Sequence, residues 1–233
     1  QAMGELGVQL DMYYKINKGT LLGGKYGTKL NLNISKINGL EGGYSMLNDN
    51  TNHTPKLFSF DEELYFSDIN LEISKKVNKK VKYNAVLAHQ KYNKDFLEGK
   101  TPGEYGTLTS TIAVFDLSYK IKKGHTIRVE TQALFAKKDE IATSEHEGDW
   151  VMAAAEYTIS PNWFFAVQDM YNYGHENESK RLHYMNFNFG FLKGSTRFEF
   201  GYGKKREGIF CVGGVCKLVP SSNGLNLSIT SSF

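Results

Sequence analysis

Residues 109–137 read TSTIAVFDLSYKIKKGHTIRVETQALFAK, and this stretch decides the fold. In its first half Ala113, Phe115, Leu117, Tyr119 and Ile121 fall on one face. Asp116, Ser118 and Lys120 fall on the other, softened by Ile112 and Val114. After Lys122-Lys123-Gly124 the alternation resumes, with Ile127, Val129, Thr131, Ala133 and Phe135 opposing Arg128, Glu130 and Gln132. Side chains that change face at every residue mark a β-strand, and two such runs around a tight Gly-containing turn mark a hairpin.

The same period extends in both directions. Val8, Leu10, Met12, Tyr14 and Ile16 alternate with Gln9, Asp11, Tyr13 and Lys15. Phe187, Phe189 and Phe191 alternate with Asn186, Asn188 and Gly190, and Phe198, Phe200 and Tyr202 with Arg197, Glu199 and Gly201. No window carries the i, i+3, i+4, i+7 stripe of a packed helix. The pattern predicts eleven strands, at 4–16, 25–37, 62–75, 80–91, 109–121, 125–137, 149–159, 163–173, 182–193, 195–206 and 222–233. Many reach ten residues or more, about twice the usual five or six. A tilted strand needs about 9–11 residues to cross a membrane.

The connections alternate in length. Short ones are centred on Asn17-Lys18-Gly19, Val77-Asn78-Lys79, Lys122-Lys123-Gly124, Ser160-Pro161-Asn162 and Lys193-Gly194. Long ones cover 38–60, 92–108, 138–148, 174–181 and 207–221. Tight turns on one rim and long loops on the other are the arrangement of outer-membrane barrels. Aromatics near strand ends, such as Tyr65, Phe66, Tyr92, Trp150, Trp163 and Tyr171, suit interfacial belts.

Composition narrows the class. The 233 residues suit one domain, 1–233, and 13% are aromatic, which argues against disorder. No apolar run approaches the 18 residues of a membrane helix. A net charge of +3 gives no footprint for nucleic acid, so none is expected as a partner. No secretory signal begins at Gln1, which suggests a processed or truncated chain.

The final segment, Leu225-Asn226-Leu227-Ser228-Ile229-Thr230-Ser231-Ser232-Phe233, alternates and ends on Phe. It resembles the terminal strand of bacterial outer-membrane β-barrels. The Lys18-Gly19-Thr20 to Gly23-Gly24-Lys25-Tyr26-Gly27-Thr28 phrasing is similar to uncharacterised barrels of Bacteroidota. The resemblance implies an all-β transmembrane antiparallel β-barrel in the bacterial outer membrane of a Gram-negative cell. Its partners would be outer-membrane lipid, other outer-membrane proteins and the barrel-assembly machinery, for which Phe233 would be the signal. It carries over no catalytic residue and no cofactor. Bacterial single-chain barrels have even strand numbers. An odd count implies either that the pattern is out by one strand or that this is the C-terminal part of a larger barrel, of twelve strands or more, the second being the expectation.

Candidate chemistry is sparse. The histidines, His53, His89, His125, His146, His175 and His183, show no H-E-x-x-H spacing, and no metal or catalytic site is assigned. Glu145-His146-Glu147-Gly148-Asp149 reads either as a charged solvated loop or as oxygen ligands for a divalent cation. Arg128, Glu130, Arg197, Glu199, Lys82 and Glu72 fall on the polar face. They read as a pore lining or as a mixed-sign ladder of ion pairs. Cys211 and Cys216, close together in the last loop, suggest a local disulfide. Phe210, Val212 and Val215 in that loop hint at a contact surface. Asp169 shares the apolar face of Trp163, Phe165 and Val167, a costly place for an acid unless a bulge, a partner or the rim relieves it. The expected function is a non-enzymatic, porin-like membrane protein, a passive channel for small solutes. The alternatives are an accessory barrel subunit of an outer-membrane complex, a rim-located hydrolase, and a soluble β-rich adhesin or sandwich.

Overall fold

The computed structural model describes residues 4–40, 56 and 58–232. His53 and Phe233 lie outside the described residues, as does most of the predicted loop 38–60. The protein is all-β. Eleven strands form one antiparallel sheet: β1 (Glu5–Ile16), β2 (Thr28–Leu40), β3 (Phe60–Lys76), β4 (Val81–Asn93), β5 (Thr107–Lys122), β6 (His125–Lys137), β7 (Trp150–Ile159), β8 (Trp163–Asn172), β9 (Asn186–Lys193), β10 (Thr196–Lys205) and β13 (Ser222–Ser231). Each pairs with the next, so the sheet is a meander. Between β10 and β13 the chain inserts a second, two-stranded sheet, β11 (Gly208–Val212) and β12 (Val215–Val219).

The registers place like beside like. Leu32 lies opposite Leu71, Leu71 opposite Leu87, Phe165 opposite Phe189, Phe189 opposite Phe200 and Phe200 opposite Leu227. On the other face Asp116 lies opposite Glu130, Arg128 opposite Glu156 and Asn188 opposite Gly201. The apolar face is the exposed one: Phe115, Phe135, Phe165, Phe187 and Phe200 stand in the open. The polar face is the covered one: Asp68, Ser110, Ser118, Asn186, Asn188, Glu199 and Lys205 are buried.

The sheet is curled around its polar face. Lys94, just past β4, and Arg206, just past β10, both reach the carboxylate of Glu147, at 3.6 and 3.0 Å. Six strand spacings of about 4.8 Å would hold those strand ends nearly 30 Å apart in a flat sheet. A girdle of side-chain hydrogen bonds runs along the polar face from β1 to β4. Asn33 donates to Asp11 at 2.6 Å, Asn70 to Asn33 at 3.4 Å, and Gln90 to Asp68 at 2.9 Å.

Three sequence expectations are corrected. The second strand begins at Thr28, not 25, because Gly19 and Gly24 close a compact turn (Gly19 N to Gly24 O, 2.8 Å) that occupies 17–27. The ninth strand begins at Asn186, not 182. The preceding residues run beside β8 in the same register without a continuous ladder, through the Tyr171–His183 bridge and the hydrogen bond from the Tyr184 N–H to the Met170 carbonyl at 2.8 Å, and the rings of Tyr171 and His183 stack at 4.0 Å. Two aromatics assigned to belts are turned inward: Tyr65 is buried on Phe96 at 3.7 Å, and Trp150 lies beneath the Arg206 guanidinium at 4.4 Å. Asp169 sits towards the end of β8 nearer the long loops, where His183 Nδ1 meets its carboxylate at 2.7 Å.

β1 and β13 form no ladder with each other among the described residues. With eleven antiparallel strands they point the same way, so an antiparallel seam joining them directly is geometrically excluded. Their apolar side chains stand open, with Leu10 at 53% and Leu225 at 74% exposure against 37% for Phe189.

The fold's small buried cluster is built on one close approach. The ring of Phe164, from β8, lies over Gly190 of β9, where an added Cβ would stand 2.0 Å from ring carbon Cζ. Replacing Gly190 with Val should displace the ring and cost about 1–3 kcal/mol by overpacking. The denaturant midpoint of the purified protein measures this, and an unchanged midpoint would contradict the packing.

Candidate functional site

The polar face carries an inserted element. The β11–β12 hairpin folds back from the long-loop rim and lies on the sheet against β7 to β10. Its wall-facing residues Phe210 and Val212 are buried against Phe164, so these two of the three residues read as a contact surface are used within the chain. Val215 stays exposed. The hairpin is closed by the Cys211–Cys216 disulfide, with the two cysteines directly opposite in register. Strong alternation makes the strands, and the Gly213-Gly214 step makes the turn, both glycines having positive φ.

The hairpin tip is clasped by three strands. Arg197 of β10 donates to the carbonyls of Val212 at 2.9 Å and Gly213 at 3.0 Å, and stacks over the Phe164 ring at 4.3 Å. Glu156 of β7 accepts from the backbone N–H of Gly213 at 2.7 Å. Gly213 is needed here, because a Cβ would lie 2.8 Å from both Arg197 and Phe164. Along the stem, Lys217 Nζ reaches buried Glu199 at 3.3 Å, and Arg197 meets the same carboxylate at 3.2 Å. Lys205 lies over the Phe210 ring at 4.4 Å and donates to Asn188 at 3.2 Å. Burying Glu199 is tolerated because two cations hold it, and removing either leaves a poorly compensated charge.

The six charged residues singled out from sequence separate into three groups. Arg197 and Glu199 belong to the hairpin clasp. Arg128 is held between the carboxylates of Asp116 and Glu130, so its charge is locally matched. A small cavity of about 110 Å³ lies between this pair and the hairpin residues Ile209 and Cys211. Glu72 accepts from Ser74 at 3.3 Å, and Lys82 makes no ion pair among the described residues.

Above the hairpin the long loops are cross-linked. Glu147 joins Lys94 to Arg206 as described, Lys180 meets Glu145 at 2.5 Å, and Lys138 meets Glu176 at 3.4 Å. The Asp149 carboxylate accepts from the backbone N–H of Ala136 at 2.8 Å. Each carboxylate of the acidic stretch 145–149 is thus engaged by a cation or an N–H, and no group of side chains among the described residues has the arrangement of a metal site. A cavity of about 410 Å³ opens beneath these loops, lined by Tyr105, Ile112, Leu134, Trp150, Met152 and Met170.

The whole chain, residues 1–233, matches the model of a family of unknown function (DUF6029). The chain belongs to this family. No curated protein and no solved structure matches it. The family description brings no activity, so the roles of these residues rest on geometry.

Sequence reasoning missed the hairpin's place. The available signal was Phe164, a large apolar residue at a polar-face position, together with the alternation of Phe210 and Val212 in a loop.

The long-loop rim has a pH dependence. Burial holds His146 below its ordinary value of 6.5. The Lys180 hydrogen bond lowers Glu145, and the backbone N–H of His146 and the charge of Lys138 lower Glu176. All three shifts are downward, so the fold binds fewer protons than the unfolded chain. The stability they contribute is full above the ordinary values and is lost as pH falls through the lowered ones. Acidification from neutrality should loosen 138–149 and 173–182, beginning below about 6.5 with His146 and continuing below 4.5 with the glutamates. Hydrogen exchange of these amides, corrected for intrinsic rate, measures it; protection unchanged down to pH 4 would refute it.

Proposed function

We propose that the chain is an outer-membrane β-barrel protein of bacteria whose polar face lines a water-filled passage for small solutes. The observation that carries this reading is the inverted burial: apolar side chains on all eleven strands stand open, while the buried side chains of the inner strands are mostly polar ones on the opposite face. In water an apolar surface of that continuity is unfavourable at about 25 cal/mol per Å². In lipid it is the stable arrangement, and closed antiparallel strands satisfy every backbone group there. Strands of 8 to 17 residues match the roughly 9–11 that a tilted crossing takes. Strand direction adds that an antiparallel closure takes an odd number of further strands between β13 and β1. Twelve or more strands enclose more space than the eight whose side chains alone fill the interior.

A second reading is favoured by the two edges, β1 and β13, that are unpaired among the described residues. A neighbouring protein that supplied strands to β1 or β13 would make this chain an accessory subunit of a membrane complex, since open edges are templates for pairing.

Conductance in a planar bilayer separates the two. The passage predicts discrete open steps from the full-length protein, whereas a folded, silent protein overturns it and leaves the subunit reading. Arg128→Ala frees the carboxylates of Asp116 and Glu130, so ion selectivity should move towards cations. The membrane itself is tested by Val129→Arg, in the middle of β6. On a lipid face it should cost about 2–4 kcal/mol in the unfolding of vesicle-inserted protein. On a water-facing surface the change would stay within about 0.5 kcal/mol.

A further inference from the structure

We infer that the β11–β12 hairpin is the element that sets the size limit of the passage, held in place by the clasp at its tip. The inference rests on the channel reading above and adds to it which residues restrict passage. The hairpin runs from the long-loop rim down the polar face, and its tip meets Phe164 and Arg197, both within two residues of the strand ends at the short-turn rim. It therefore follows the wall for most of the length of β10. A second sheet layer stacks about 10 Å from the first, and the free width of the interior falls by about that much.

The hairpin is built to stay there. One face is fixed by burial, through Phe210 and Val212 on Phe164. The tip is fixed by charge-assisted hydrogen bonds from Arg197 and to Glu156, and the stem by Lys217 on Glu199. The disulfide fixes the pairing of the two arms. The opposite face, turned away from the wall, is apolar and open: Ile209 is 79% and Leu218 81% exposed. A passing solute would thus meet an apolar, disulfide-bearing surface on one side and the polar ladder of β1 to β5 on the other.

The insert is also removable without disturbing the ladder. Lys205 and Ser222, on either side of it, are directly paired across β10 and β13. Residues 206–221 can therefore be replaced by Asn-Gly, which joins a directly opposed pair in a two-residue hairpin turn.

The experiment compares single-channel conductance of the full-length protein, this hairpin-less variant, and the double variant Arg197→Ala, Glu156→Ala. The size limit is read by adding polyethylene glycols of increasing mass. The hairpin-less variant should conduct at least about twofold more and admit larger polymers, as expected for a wider interior. The double variant should keep the sheet but release the tip, seen as faster hydrogen exchange confined to 208–219 and as flicker between two conductance levels. Equal conductance and equal polymer limit in the full-length and hairpin-less proteins would overturn the inference while leaving the channel reading standing. A silent full-length protein with a conducting hairpin-less variant would support the inference and refute an open resting passage. Silence of both, in folded protein, would overturn both.

Discussion

The register of the antiparallel ladder is the constraint from which the rest follows. Directly opposed residues share a face, so an alternation kept in phase through eleven strands sorts the molecule into one apolar surface and one polar surface. A slip of one residue at any pair would turn a strand's apolar set onto the polar side. The pairings of Leu32 with Leu71, Leu71 with Leu87 and Phe189 with Phe200 show the phase maintained from β2 through β10. The irregularities fall near strand ends, between Ile37 and Leu40 and between Lys120 and Lys122, where they leave the middle of the sheet in phase.

Given that sorting, the polar face has its own problem. Charged side chains enclosed by a curled sheet must be matched or hydrated. The chain uses matching. Arg128 lies between Asp116 and Glu130, Glu199 between Arg197 and Lys217, and the β1–β4 girdle links Asp11, Asn33 and Asn70. The hairpin fits this pattern because it brings backbone carbonyls to Arg197 and a backbone N–H to Glu156, two groups that would otherwise need water. Space for it comes from Gly190 and Gly213, whose missing side chains let Phe164 lie between wall and tip.

Most of the sheet was legible in the sequence because a period of two needs no tertiary knowledge. β6 was read to the residue at 125–137, and β7 and β8 to within a residue at either end. The disulfide was legible because only two cysteines exist and they are close in the chain. What escaped was where the last long connection goes. Its strands, GIFCV and VCKLV, are too short to stand out against a loop, and their contacts reach 15 to 57 residues back in the chain. Asp169 taught a related lesson. An acid on an apolar face reads as a fault, but its partner His183 is a diagonal neighbour on the segment that runs beside β8 in register just before β9.

Curvature and strand direction together bound how this sheet could close. The Glu147 bridge between the ends of β4 and β10 shows that the described sheet already wraps its polar face, while the equal direction of β1 and β13 forbids an antiparallel seam between them. The hairpin lies against β7 to β10, far along the sheet from β1. Strands added between the two edges would therefore complete the wall opposite the middle of the sheet and leave the clasp untouched. The hairpin clasp and the sheet edges are then separate parts of the fold: one depends on Arg197, Glu156 and Phe164, the other on β1 and β13, which pair with no further strand among the described residues. If the proposed passage exists, a partner strand added at either edge would alter its width without moving the hairpin.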